Sequence, residues 1–268
     1  MQPPKGSTPE PLAHQPARVA IPRLVEEHGG RLHRLSLKLC GHPEDAEDLV
    51  QDVFLTAFRK WDQFQGEAQP TTWLYTIAAR ACARRRRKRS GEPKRMESLQ
   101  ELLPSAEEQI PDPEVLEGPL GEHLRREARD AVERAIARLP EHFRMPLVLK
   151  EIVELPIADV AAILGLKEST VKTRVHRGRL LLRQELARAL PATDAPPPDH
   201  SRQMCLDLLH AKQEALDRGA PFAVPPEDLC LRCRSMFDTL DLGREICGTL
   251  GQGEMPSALK EALAERLS

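Results

Sequence analysis

At 268 residues the chain is long enough for two or three domains of the usual ~100–150 residues. It is 40% apolar and 30% charged with only nine aromatic residues, and its wealth of Ala, Leu, Glu and Arg favours helix over strand throughout. A net charge of −2 excludes binding to nucleic acid through bulk charge, so any such activity must lie in the patterning.

No apolar run, the longest being of the kind at 146–149 and 180–182, approaches the ~20 residues that cross a bilayer. The opening MQPPKGSTPE has no charged-then-apolar signal pattern. The expected location is the cytoplasm, with no membrane partner. The six cysteines are then reduced thiols, for which metal or redox chemistry outranks a disulfide framework.

Composition divides the chain into a Pro-rich, disordered leader (1–17), a helical block (18–90), an acidic linker (91–120), a second helical block (121–190), a Pro-rich linker (191–199) and a cysteine-containing unit (200–268). The expected fold is all-α throughout.

In the first block a helix starts at Pro43 and draws one apolar stripe through Ala46, Leu49, Val50, Val53, Phe54, Ala57 and Phe58. Its other side carries Glu44, Asp45, Glu47, Asp48 and Asp52. These acids are either a solvated face near the positive end of the helix dipole or a docking surface for a basic partner. After a polar loop (62–69) a second helix begins near Pro70, holds Trp73, Leu74, Ile77 and Ala78, and ends in RRRRKR (84–89). Six of the nine aromatics lie between residues 54 and 75, beside this basic tract. Aromatic pockets next to Arg and Lys suit single-stranded nucleic acid, whose bases stack while cations follow the phosphates. Phe54, Phe58 and Trp73 read as core, whereas Trp61, Phe64 and Tyr75 are less easily buried.

The second block ends in a helix-turn-helix. IADVAAIL (157–164) is a short helix, Gly165 supplies a left-handed closing residue, and Leu166 plugs the turn. A long helix follows from 167–169, with Val171, Val175, Gly178 and Leu182 on its inner face. Ser169, Thr170, Lys172, Thr173, Arg174, His176, Arg177 and Arg179 point elsewhere, giving the short-polar and basic face of a helix that reads base edges and phosphates.

The last unit holds Cys205, Cys230, Cys233 and Cys247. The CxxC pair Cys230–Cys233 has the spacing for two thiolates to grip one ion, and Cys205 can face it across a helix pair. Cys247 lies fourteen residues beyond Cys233. On an unbroken helix that is about 21 Å, so Cys247 joins only if the chain turns back, for which Gly243 is the expected place. Otherwise His200, His210 or Asp228 completes the site, or it is three-coordinate. Three thiolates suit Cu(I), or Zn(II) and Cd(II) with an added ligand. The alternative is that the cysteines are small core hydrophobes, which is the expectation for Cys40 and Cys82.

DAEDLVQD (45–52), TWL (72–74) and TVKTRVHRGR (170–179), in this order, resemble the extracytoplasmic-function (ECF) sigma factors of the sigma-70 family. Residues 42–90 are similar to that family's region 2 and 139–186 to its region 4. The resemblance implies a region 2 bundle, a region 4 helix-turn-helix, and no enzymatic activity. It implies that Asp45, Glu47, Asp48 and Gln51 dock on core RNA polymerase, which favours the docking reading of the acidic face. It implies that Trp61, Phe64, Trp73, Tyr75, Arg80, Arg84 and Arg85 melt and hold the −10 promoter element. The helix 168–180, through the eight polar and basic residues named above, would read the −35 element.

The tail pattern MCLDLLHAKQEALDRG…EDLCLRCRSMF resembles the zinc-binding module of anti-sigma factors and the tails of CorE-type metal-responsive sigma factors. Pro226 stands where the anti-sigma motif has its histidine, so the usual three-cysteine, one-histidine zinc site is not reproduced. The resulting expectation is a sigma factor regulated by metal (copper, zinc or cadmium) or thiol state, needing no separate anti-sigma factor. The alternative is a conventional helix-turn-helix regulator with a structural zinc tail. A zinc hydrolase has no HExxH or comparable base to support it.

Overall fold

A computed structural model describes residues 12, 15–40, 43–66, 69–87, 109–117 and 121–267, without the side chains of 83 and 85–87. In chain order its elements are α1 (Ala17–Cys40), α2 (Pro43–Arg59), α3 (Pro70–Arg87), β1 (Ile110–Pro111), α4 (Pro113–Glu117), α5 (Glu122–Arg138) and α6 (Glu141–Glu151). Then follow α7 (Ile157–Leu164), α8 (Glu168–Ala189), β2 (Ala192–Thr193), α9 (Arg202–Arg218), α10 (Leu231–Leu250) and α11 (Ser257–Leu267). The chain is mostly helical, as its composition predicts. Among the described residues no helix is long and apolar enough to cross a membrane.

Two compact units divide the chain: Met1–Arg89 with Gln252–Ser268, and Ser90–Gly251. The expected single unit at 200–268 is therefore corrected. Its last helix, α11, belongs with α1–α3, while α9 and α10 belong with α5–α8.

In the first unit, α1 buries Ala20, Ile21, Leu24, Leu32, Leu35 and Leu39, and α2 buries the stripe from Ala46 to Ala57. Helical spacing places each set on one side of its helix, and burying the two sides against each other is the main hydrophobic gain. The described part of the expected leader is tied down: Trp61 Nε1 donates to the Gln15 carbonyl at 2.8 Å. Residues 1–11 and 13–14 lie outside the described residues. α11 buries Leu259, Leu263 and Leu267, spaced by four, against α1 and α2. The segment before it crosses α1 at Gly29 and Gly30, where an added Cβ would collide with Met255 and with the Gly253 carbonyl. Paired glycines weaken a helix interior, and this close crossing is what requires them.

In the second unit, α5, α6, α7 and α10 all pack on α8. Gly165 ends α7 at φ 67°, a left-handed geometry that glycine adopts without steric cost. Gly178 lets α8 approach α6, since a Cβ there would lie 3.4 Å from Leu147. Gly243 is not a hinge. It sits inside α10 where a Cβ would lie 3.1 Å from Leu182 of α8, so it permits a helix crossing.

The expected linkers also contribute structure. β1 and β2 pair antiparallel, Ile110 with Thr193 and Pro111 with Ala192. Ser235 Oγ of α10 donates to the Pro111 carbonyl at 2.9 Å, and Arg232 donates to the Ala195 and Pro196 carbonyls. Residues 88–108 and 118–120 lie outside the described residues.

Candidate polymerase and promoter interfaces

The first unit offers an acidic face and a basic helix end. On α2, Glu47 and Asp48 are exposed while Asp45 and Gln51 are half-buried. Glu44 and Asp45 occupy the first turn, where carboxylates suit the helix dipole. Glu47 also acts on His33 of α1. Burial holds the His33 imidazole below its ordinary pKa, against the pull of Glu47.

The aromatic group is packed differently from the sequence expectation. Trp61, Phe64 and Tyr75 are buried, which corrects the expectation that these three are less easily buried. Trp61 and Phe64 stack at 5.1 Å between ring centroids, and Trp73 closes the group at 5.8 Å from Trp61 and 5.2 Å from Phe64. Trp73, read as core, is instead half-buried. The rings satisfy one another's apolar surface, which position in a loop does not foretell. Arg80 and Arg84 are exposed along α3, and the Arg85 side chain lies outside the described residues.

In the second unit, Ser169 is exposed, and Thr170, Lys172, Thr173, Arg174 and Arg177 are half-buried on α8. His176 and Arg179 are buried, each 5% exposed, and this departs from the expected open reading face. The cause is α9. Lys172 Nζ lies 3.1 Å from Glu214, and His176 Nε2 lies 2.9 Å from Asp217 Oδ2. Arg179 donates to Glu151 of α6 through Nε and Nη2 and to Gln213 Oε1 through Nη1. Its Nη1 also sits 2.8 Å from Asp217 Oδ1, as an ion pair rather than an aligned hydrogen bond. Gln213 donates in turn to the His176 carbonyl. Burial works to raise the Asp217 carboxyl, but the His176 hydrogen bond and the Arg179 charge outweigh it and hold the group below the usual carboxylate range. Sequence reasoning missed Gln213, Glu214 and Asp217. The available signal was a QExxD run on a helix whose other side is apolar, which marks an acidic face without naming the basic one it meets.

The thiols of Cys205, Cys230 and Cys233 lie in one apolar cluster with Leu180, Leu209, Met236 and Phe237. Cys233 Sγ is 3.9 Å from Cys205 Sγ. Burial first, then the neighbouring Cys230 and Cys205, push the Cys233 thiol well above its ordinary pKa. The metal set containing Cys247 is corrected. α10 runs unbroken from Leu231 to Leu250, so Cys247 stays about 21 Å along the helix from Cys233. With Leu147, Arg183 and Gly243 it lines a cleft between α6, α8 and α10. His200 Nε2 is 3.4 Å from the Asp228 carbonyl, near the CxxC segment. Cys40 and Cys82 are buried, and Cys82 Sγ donates to the Leu39 carbonyl at 3.8 Å.

The family model described as sigma-70 region 2 matches residues 24–92, and the one described as sigma-70, region 4 matches residues 129–182. The ECF RNA polymerase sigma factor SigE of Mycolicibacterium smegmatis is 35% identical over 179 residues, 65% of this chain and 64% of that protein. The ECF sigma factor SigW of Bacillus subtilis is 31% identical over 175 residues, 62% of this chain and 89% of that one. Among solved structures, CnrH in complex with the cytosolic domain of CnrY aligns with a TM-score of 0.44 at 24% identity, over 65% of this chain and 94% of CnrH. The chain is thus a member of the ECF RNA polymerase sigma factors of the sigma-70 family, non-enzymatic transcription-initiation proteins that bind DNA through a region 4 helix-turn-helix.

Proposed function

We propose that the chain binds core RNA polymerase through the acidic face of α2, directs it to specific promoters through α3 and α8, and is regulated by metal binding or thiol state at α9–α10. The observation that carries the first part is the joining, in one chain, of exposed Glu47 and Asp48 on α2 with a helix-turn-helix at α7–α8. A repressor has no use for the former. Run-off transcription from a library of promoter fragments with bacterial core polymerase tests it. Promoter-dependent transcripts are expected from core enzyme plus this protein alone. Their absence, with DNA binding intact, would leave a conventional regulator.

The regulatory part rests on the thiol cluster. Metal–sulfur bonds of ~2.3 Å place tetrahedral ligands about 3.8 Å apart. The 3.9 Å between Cys205 and Cys233 fits one edge of such a site. The Cys205, Cys230 and Cys233 thiols do not all reach that spacing. Among the described residues, the trio whose ligand atoms all lie within 4.8 Å of one another is His176, Glu214 and Asp217, two of which already face cations. Holding one ion with three thiolates therefore requires the three thiols to draw closer together, and copper, zinc or cadmium would suit the donors. In this reading the tail takes the place of a separate anti-sigma factor. Titration of the purified chain with Zn(II), Cd(II) and Cu(I) under reducing conditions should show one ion bound. Cys230→Ser with Cys233→Ser should abolish both binding and any metal response of transcription. An unchanged response in that variant removes the sensor.

A further inference from the structure

We propose that the Gln213, Glu214 and Asp217 face of α9 is an internal mimic of promoter phosphates, holding the −35 reading helix shut until α9 is released. This rests on the sigma-factor reading of α8 and goes beyond it by naming what occupies that helix. Lys172, His176 and Arg179 stand at i, i+4 and i+7 on α8, one continuous face. Each meets an oxygen of α9: Lys172 with Glu214 at 3.1 Å, His176 with Asp217 at 2.9 Å, Arg179 with Asp217 at 2.8 Å and with Gln213 at 2.9 Å. Carboxylates accept charge-assisted hydrogen bonds from the same donors that grip phosphate oxygens. A duplex and α9 therefore compete for identical atoms.

The seal is largely dry. The Asp217 side chain is 3% exposed and that of His176 is 7% exposed. Ser169, at the start of α8, remains exposed, so the face is part covered and part open. Arg179 would keep its Glu151 partner on α6 without α9, whereas the bonds of Lys172 and His176 described above run to α9. Release therefore frees two donors outright. Cys205 lies on the same helix as the clamp acids, so the thiol cluster and the clamp that closes α8 share one element.

The test compares the full-length protein with its Glu214→Gln, Asp217→Asn double variant. A labelled 30-base-pair duplex of random sequence is the probe, with affinity measured across salt concentration. The variant should bind about ten-fold more tightly, with a log–log salt slope steeper by about two, one unit for each phosphate contact regained. Equal affinity and slope in the two proteins overturn the proposal. If the double variant does not fold, as judged by circular dichroism, Glu214→Gln alone carries the test at the half-exposed Lys172 pair, with about one unit of slope expected and no change overturning. Co-elution with core polymerase is measured in parallel. Core binding with unchanged DNA affinity removes the clamp alone, whereas loss of core binding removes the sigma-factor reading.

Discussion

The two ends of the tail hold their neighbours in opposite ways. α9 meets α8 through charges and amides, with Glu214, Asp217 and Gln213 set against Lys172, His176 and Arg179. α11 meets α1 and α2 through Leu259, Leu263 and Leu267, with glycines opposite to admit its leading segment. A polar contact loses little when water or another anion replaces the partner, so it suits a surface that must open. An apolar stripe has no substitute in water, so it suits a permanent part of a core. The difference separates a removable cover on the second unit from a structural helix of the first.

The sharpest way to break this contrast is at Arg179. Arg179→Ala strips Glu151 and Asp217 of a buried partner and should cost about 4 kcal/mol in the second unit. Both tryptophans, Trp61 and Trp73, lie in the first unit. Urea unfolding should therefore show an early circular-dichroism transition with the tryptophan fluorescence midpoint unmoved. A shift of both signals together would show that the two units unfold as one.

Leu263→Ala is the mirror experiment. Leu263 is fully buried, and its truncation should cost about 3 kcal/mol, now read by tryptophan fluorescence. If fluorescence does not move, α11 is not part of the first unit's core. Glu214→Gln should be far milder for stability, under about 1 kcal/mol, because both partners of the Lys172 pair are more than a third exposed. A large destabilisation there would make α9 structural rather than removable.

Acidification should also separate the units, with the smallest effect. His33 has a depressed folded pKa, so the unfolded chain takes up protons first as pH falls. The first unit loses stability once pH drops below the ordinary histidine range. Asp217 is depressed from the carboxylate range, so its contribution, present above that range, is lost only as pH falls through its lowered value. Fluorescence should soften near pH 6 and below, while the α8–α9 contact persists to about pH 4. A His33→Gln variant with an unchanged acid profile would remove His33 as the cause.

Much of this was legible in order along the chain. The stripe of α2, the Gly165 turn and the apolar inner face of α8 follow from period and from residue chemistry that acts within a few positions. The sites were less so. Trp61 and Phe64 look open because they sit at a loop, yet ring-on-ring packing buries them. Cys247 looks like a fourth ligand because it is a nearby cysteine, yet a continuous helix carries it away. Gly29 and Gly30 were a readable sign that some backbone crosses α1, without saying which.

The sequence by itself determined where the helices run and which faces are apolar, because those depend on local spacing, and its motifs carried the resemblance to regions 2 and 4 of a sigma factor. Only the tertiary structure decided that Glu214 and Asp217, some forty positions after the Lys172 and His176 they meet, cover that face of α8, and that the last helix returns to the first unit. An amphipathic stripe specifies that a face is buried but not against what. That choice is made by shape and charge matching between segments far apart in the chain.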